Sequence, residues 1–204
     1  MRPVNRDSLP HIVACITKLF RQKISTRLTY WSGRWWGIDI ASDCVFDGLP
    51  YFYRCPGSQI YIGCRCRFNS SKKSNLIGIN HSCMISTLRE KTIIEIGGGC
   101  GFSGTVIGAE KQVVLGKNVR CGANTIITDT DWHTDDPGTG KAAAVIIEDD
   151  VWLGVNAVVL KGVTIGKGTI IGANSVVTVS LPAGVVAAGN PAKVIREIKL
   201  AVCK

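Results

Sequence analysis

Aromatic residues make up only 7% of this 204-residue chain, and that scarcity beside 23 glycines points to repetitive, tightly turning β-structure. No stretch approaches the roughly 18–20 unbroken apolar residues a membrane span needs. The apolar stretch around His11–Phe20 is short, contains Lys18 and is followed by no small-residue cleavage site, so no secretory signal is expected. The nine cysteines include no C-x-x-C pair, and the closest two, Cys64 and Cys66, stand as C-x-C. That spacing argues against a structural zinc site, and the odd number and scatter argue against a disulfide framework. Small buried thiols in a reducing, cytoplasmic compartment are the expectation.

What is present fits one domain with a modest appendage, or two small ones. At 46% hydrophobic and 19% charged, the chain can bury a sizeable core. Its 24 Lys and Arg against 15 Asp and Glu leave a formal charge of +9. Such an excess suits phosphate-bearing partners, nucleic acid or an anionic membrane surface without choosing among them. Three zones follow. Residues 1–58 are basic and aromatic, holding Trp31, Trp35 and Trp36, with a short helix expected from Ser8 to about Lys23. Residues 59–188 are dominated by Gly, Val and Ile. Residues 189–204 begin Gly-Asn-Pro and read as a turn and a short helix with Val194, Ile195, Ile198 and Val202 on its apolar face.

The middle zone repeats itself. Stepping by six from Ile147 gives Leu153, Val159, Ile165, Ile171 and Val177, all aliphatic. Chance would give this in about 1% of frames, so further columns are needed to support it. Glycine follows the aliphatic at Gly154, Gly166 and Gly172, and the fourth step carries Val151, Ala157, Val163, Thr169, Ser175 and Leu181. A shorter frame runs through Leu115, Cys121 and Ile127, and further pieces lie at Ile62-Gly63, Ile77-Gly78, Ile96-Gly97 and Ile107-Gly108. A period of six fits neither a 3.6-residue helix nor long two-residue alternation. It fits an all-β solenoid of short strands and tight turns, each face pointing one aliphatic inward, with Asn118 and Asn174 at turn positions. Residues 59–188 would form about six coils. The register slips between Ile127 and Ile147, so the polar segment 128–146 is expected as an extruded loop, where function tends to sit.

The run VWLGVNAVVLKGVTIGKGTIIGANSVVT at 151–178, followed by VAAGNPAKVIR at 186–196, resembles the hexapeptide-repeat acyltransferases. The similarity covers residues 59–197 and is nearest to the sugar O-acetyltransferases, which include galactoside and maltose acetyltransferases and enzymes that decorate bacterial surface polysaccharides. The resemblance implies a left-handed parallel β-helix with a basic N-terminal cap, a homotrimer, and acetyl-CoA in grooves between neighbouring subunits.

His133 is the candidate catalytic base. Of the three histidines, His11 lies in the N-terminal zone, His81 in an early coil, and only His133 in the extruded loop. Imidazole titrates near neutrality and so accepts a hydroxyl proton there; the bland alternative is a solvated loop side chain. Asp129 and Asp131 alternate with His133 and would share its face on an extended segment, either orienting the ring and binding sugar hydroxyls or serving as ordinary turn carboxylates. By resemblance, Trp152 lines the cofactor channel, the N–H groups near Gly154 and Val155 steady an oxyanion, and Ala173 and Thr178 meet the pantetheine arm. Arg196 matches a phosphate-side arginine, with Asn190 and Lys193 close by. The chain departs from relatives at Thr178-Val-Ser-Leu-Pro182, which lacks their usual lysine, and at Ser103, where relatives keep an acceptor-binding asparagine.

The resemblance, carried onto these residues, implies an acetyl-CoA-dependent O-acetyltransferase acting on a sugar hydroxyl in bacterial surface polysaccharide synthesis, with no metal and no nucleic-acid partner. The basic N-terminal zone adds the reading of a peripheral location at the inner face of the membrane, against a lipid-linked glycan; its alternative is a solvated cap. Three other functions stay open: an amino-sugar N-acetyltransferase, a γ-carbonic-anhydrase-like zinc protein, and a non-catalytic scaffold.

Overall fold

Every sixth aliphatic of the repeat points into one shared core. In a computed structural model, which describes residues 6, 8–133, 136 and 138–198, Ile147, Leu153, Val159, Ile165, Ile171 and Val177 are all essentially inaccessible to solvent. Each sits on a short strand of a triangular prism, and three strands make one coil. The first coil is β1 (Asp39–Ile40), β2 (Val45–Asp47) and β3 (Tyr51–Arg54); the second is β4 (Gln59–Ile62), β5 (Arg67–Asn69) and β6 (Met84–Thr87). The third holds β7 (Ile93–Ile96), β8 (Gly101–Ser103) and β9 (Val106–Ala109), and the fourth β10 (Gln112–Leu115), β11 (Arg120–Ala123) and β12 (Ile126–Thr128). The fifth is β13 (Val145–Ile147), β14 (Trp152–Leu153) and β15 (Val158–Val159), and the sixth β16 (Thr164–Ile165), β17 (Ile170–Ile171) and β18 (Val176–Val177). Equivalent strands stack in parallel into three sheets: sheet 1 from β1 to β16, sheet 2 from β2 to β17, and sheet 3 from β3 to β18.

The repeated glycine has a steric cause. A Cβ on Gly63 would stand 2.7 Å from the backbone nitrogen of Gly98 in the next coil, and one on Gly154 would stand 2.5 Å from that of Ala173. Coils stack so closely at these corners that only hydrogen fits. Asn118, Asn124, Asn156 and Asn174 hold the left-handed turn conformation, with φ between 56° and 59°.

Four features differ from the sequence reading. The β-helix starts at Asp39, twenty residues before residue 59, because the first coils fill sheet 2 with a ladder of Phe46, Phe68 and Phe102 in place of aliphatics. Their rings stack at 4.9 and 4.6 Å. The N-terminal helix α1 (Leu9–Trp36) runs well past Lys23 and closes on Gly37 in the left-handed conformation. Its small face of Ser25, Thr29 and Gly33 lies against the first coil, where Ser25 Oγ donates to the Phe46 carbonyl and Thr26 Oγ1 accepts from the Phe46 N–H at 3.0 Å. The Tyr30 hydroxyl bridges the Ala41 carbonyl and the Cys44 N–H. These bonds occupy backbone groups that the open end of the solenoid would leave unpaired.

The expected C-terminal helix is instead a hairpin. β19 (Val185–Gly189) pairs in parallel with β17, and β20 (Ala192–Glu197) returns antiparallel to it, so β-branched Val194 and Ile195 extend sheet 2. Val202, of the same expected face, lies outside the described residues. Finally, a second segment leaves the scaffold between β5 and β6. Ile77-Gly78 and His81 belong to this excursion and not to a coil, and Ile77 is exposed.

Candidate active site

Outward-facing residues of sheet 2 form a register column. Arg120 pairs with Trp152, Trp152 with Ile170, Ile170 with Val186, and Val186 with Arg196. Trp152 is half exposed, since its ring is too large for the prism interior. Beside this column, at the corner leading to sheet 3, lies a groove of about 420 Å³ lined by Trp152, Ile170, Gly154, Val155, Gly172 and Ala173. Asn75 and Ile77 of the first excursion border it. The Gly154 N–H is bound to the Ile171 carbonyl at 2.8 Å. The Val155 N–H has no hydrogen-bond partner among the described residues, and its nitrogen lies beside Gly122 of the preceding coil.

The second excursion, between β12 and β13, carries His133. Its exit is anchored by Asp129, which is fully buried and accepts the backbone N–H groups of Glu110, Lys111 and Gln112 at 2.7, 2.7 and 2.6 Å. Burial pushes this carboxyl above its ordinary pKa, while the three donors pull against that rise. Thr130 adds a hydrogen bond to the Glu110 carboxylate at 2.8 Å. Lys161 then ties the loop across its mouth, with Nζ 2.5 Å from Asp131 Oδ2 and 3.0 Å from the Gly140 carbonyl. This cation holds the Asp131 carboxyl below its usual pKa. Trp132 adopts φ 68°, rare for a bulky residue, and its ring covers Gly108, where no side chain would fit. The His133 ring is exposed and has no hydrogen-bond partner among the described residues, while its carbonyl accepts from Asp136 N and Thr139 Oγ1.

The structure therefore brings together Trp152, Gly154, Val155 and Ala173, and puts Arg196 in the register column of Trp152. Lys193 and Asn190 are exposed on the β19–β20 hairpin. His133 is not brought to that groove within one chain. Its loop leaves the corner between sheets 3 and 1, and the exposed Thr178 follows β18 at that same corner two coils further on.

Three expectations are corrected. Asp129 does not face outward with His133, because its carboxylate is committed to backbone donors inside the scaffold. Asp131 pairs with Lys161 and not with the imidazole. Ser103 is 6% exposed, and its Oγ accepts the side-chain amides of Asn69 and Asn75 at 3.1 and 3.0 Å, so it fastens the first excursion to the third coil. Sequence reasoning missed the pairing of Lys161 with Asp131, the Trp132 ring over Gly108 and the Asn75–Ile77 border. Trp132 beside the loop histidine was a visible signal; the other two depend on contacts across coils. His81 and His133 leave different corners of different coils, and among the described residues no cluster of three or more metal-ligating side chains occurs.

Residues 144–178 match the family model described as bacterial transferase hexapeptide (six repeats). The chain carries that repeat, and its solenoid is the left-handed parallel β-helix. Over 82 residues it is 49% identical to a 2,3,4,5-tetrahydropyridine-2,6-dicarboxylate N-acetyltransferase of Staphylococcus aureus, a match covering 40% of this chain and 32% of that protein. The chain thus spans about a third of the length of this curated relative. Among solved structures, a variant of AntD, an N-acyltransferase from Bacillus cereus in complex with dTDP-4-amino-4,6-dideoxyglucose and coenzyme A, superposes with a TM-score of 0.62. It is 19% identical, with 80% of this chain and 86% of AntD covered. The polysialic acid O-acetyltransferase OatWY gives a TM-score of 0.52 at 20% identity, covering 82% of this chain and 90% of that one. At such identities the likeness is one of fold.

Proposed function

We propose that the protein transfers an acetyl group from acetyl-CoA to a hydroxyl of a sugar acceptor, with His133 as general base. The observation that carries this reading is the pairing of an extruded, strapped loop presenting one unpartnered imidazole with an apolar groove beside Trp152. The groove suits an extended thioester: its walls are aliphatic and aromatic, Val155 brings an N–H with no partner among the described residues, and Arg196 and Lys193 stand further along the same sheet as partners for phosphates.

His133 removes the acceptor proton as the hydroxyl oxygen attacks the thioester carbonyl carbon. The Val155 N–H stabilises the resulting oxyanion. Collapse breaks the C–S bond, and the imidazolium returns its proton to the departing CoA sulfur. Because loop and groove occupy different corners of one prism, the complete site joins His133 of one copy to the groove of its neighbour, as a homotrimer would arrange them.

The AntD and tetrahydropyridine dicarboxylate relatives are N-acyltransferases, which supports a second reading in which the acceptor is an amine. Incubation with acetyl-CoA and candidate sugar nucleotides, followed by mild alkali, separates the two: an ester is cleaved and an amide survives. For either acceptor, His133→Ala is expected to lower turnover by about 10²–10⁴-fold while leaving CoA binding intact. Near-normal turnover in that variant would remove the base assignment.

A further inference from the structure

Helix α1 exposes its large apolar side chains and buries small ones. The face packed on the first coil is small and polar, with Ser25, Thr29 and Gly33 buried, whereas the opposite face exposes the large apolar side chains. Phe20, Ile24, Arg27, Trp31, Arg34 and Trp35 recur at three- and four-residue steps and share that outer face. Phe20 is 66% exposed, Trp31 69% and Trp35 78%, and the two tryptophan rings stack on each other at 6.3 Å. From Leu9 to Trp36 there is no acidic residue, while Lys18, Lys23, Arg27 and Arg34 are all exposed cations. Arg21 alone is turned inward, to Asp47.

We infer that this outer face is a membrane-docking surface that lies in the interface of a bilayer containing anionic phospholipid. Apolar and aromatic residues interleaved with cations along one helix match the boundary between acyl chains and negative headgroups. No helix of the described residues is long and apolar enough to cross a membrane, so α1 lies on the bilayer and does not span it. A second copy of the chain is a poorer occupant. Face-to-face packing of two such helices would bring Lys23, Arg27 and Arg34 against their own kind, with no acid on either helix to pair them. The first coil holds α1 in place through bonds on its other face, so docking requires no rearrangement of the solenoid. This inference is independent of the acetyl-transfer reading.

Vesicle flotation of the full chain tests it. The protein is expected to float with vesicles of phosphatidylglycerol and phosphatidylethanolamine, to stay behind with phosphatidylcholine alone, and to detach in high salt. Combined Lys23→Glu, Arg27→Glu and Arg34→Glu substitution should weaken binding on the order of a hundredfold. Combined Phe20→Ser, Trp31→Ser and Trp35→Ser should abolish it. Both variants should keep the wild-type melting temperature, because every altered residue is exposed. Absence of flotation, or binding indifferent to lipid charge and to the reversal, overturns the proposal. So does sedimentation velocity showing that the serine variant loses subunits, which would assign the face to a second copy.

Discussion

Replacing Asp129 distinguishes an anchor from a substrate ligand. In Asp129→Ala, three backbone N–H groups lose their acceptor. An orphaned donor costs about 1–3 kcal/mol, and because Lys111 is exposed, water recovers part of the loss, giving about 2–4 kcal/mol in total. For a chain of this length that lowers Tm by roughly 5–15 °C. Asp129→Asn is milder. One amide oxygen can still serve Lys111 and Gln112, while its NH₂ faces the Glu110 donor, so the cost is about 1–2 kcal/mol. The carboxylate also leaves a pH signature. Its folded pKa is raised, so the folded state holds the proton more tightly than the unfolded one. Its contribution is therefore fully present below the ordinary value of 3.8 and is lost as the pH rises through the folded pKa. That slope should vanish in Asp129→Asn. Scanning calorimetry from acid to neutral pH measures both effects. An unchanged Tm together with a raised KM for the acceptor would refute the anchor and restore a ligand role.

Lys161→Met should release the mouth of the His133 loop, seen as faster amide exchange over residues 129–144 with little change in Tm, and should lower kcat/KM up to about a hundredfold by misplacing the imidazole. In the wild type the same strap should persist above the ordinary carboxylate pKa of 3.8 and fail as the pH falls through the lowered Asp131 pKa. Arg21→Ala strands the fully buried Asp47 carboxylate, which now lies 2.6 Å from the guanidinium. Gln22 still reaches it at 3.2 Å, so a loss of about 2–3 kcal/mol is expected in thermal or denaturant unfolding. Gly154→Ala would force a methyl to 2.5 Å from the Ala173 nitrogen, costing about 1–3 kcal/mol and weakening CoA binding in calorimetry.

The repeat was legible where one chemical rule serves every coil: an aliphatic that must point inward and a glycine where backbones touch. It was illegible where a different solution fills the same space. Phe46, Phe52 and Cys44 build the first coil without an aliphatic-glycine pair, so its strands read as part of a cap. Ile77-Gly78 imitates a rung, yet the residues around it hydrogen-bond outward to Ser103 and Asn124 and leave the prism. Within the candidate site, the extrusion of the loop and the outward Trp152 followed from register and side-chain size. The roles of Asp129 and Asp131 did not, because alternation assumes an extended backbone. The chain bends instead at Thr130–Trp132, and partners for both carboxylates come from residues 17 to 30 positions away. The C-terminal hairpin was hidden by a pattern that fits a helix face equally well.

In the proposed trimer, His133 acts on a groove belonging to a neighbouring copy. Mixing inactive His133→Ala subunits with subunits inactivated in the groove by Trp152→Ala and Gly154→Ala, after co-refolding, measures this directly. Random assembly should restore about a quarter of wild-type activity, since half the interfaces supply an intact imidazole and half of those meet an intact groove. Mixtures as inactive as either parent would contradict the claim.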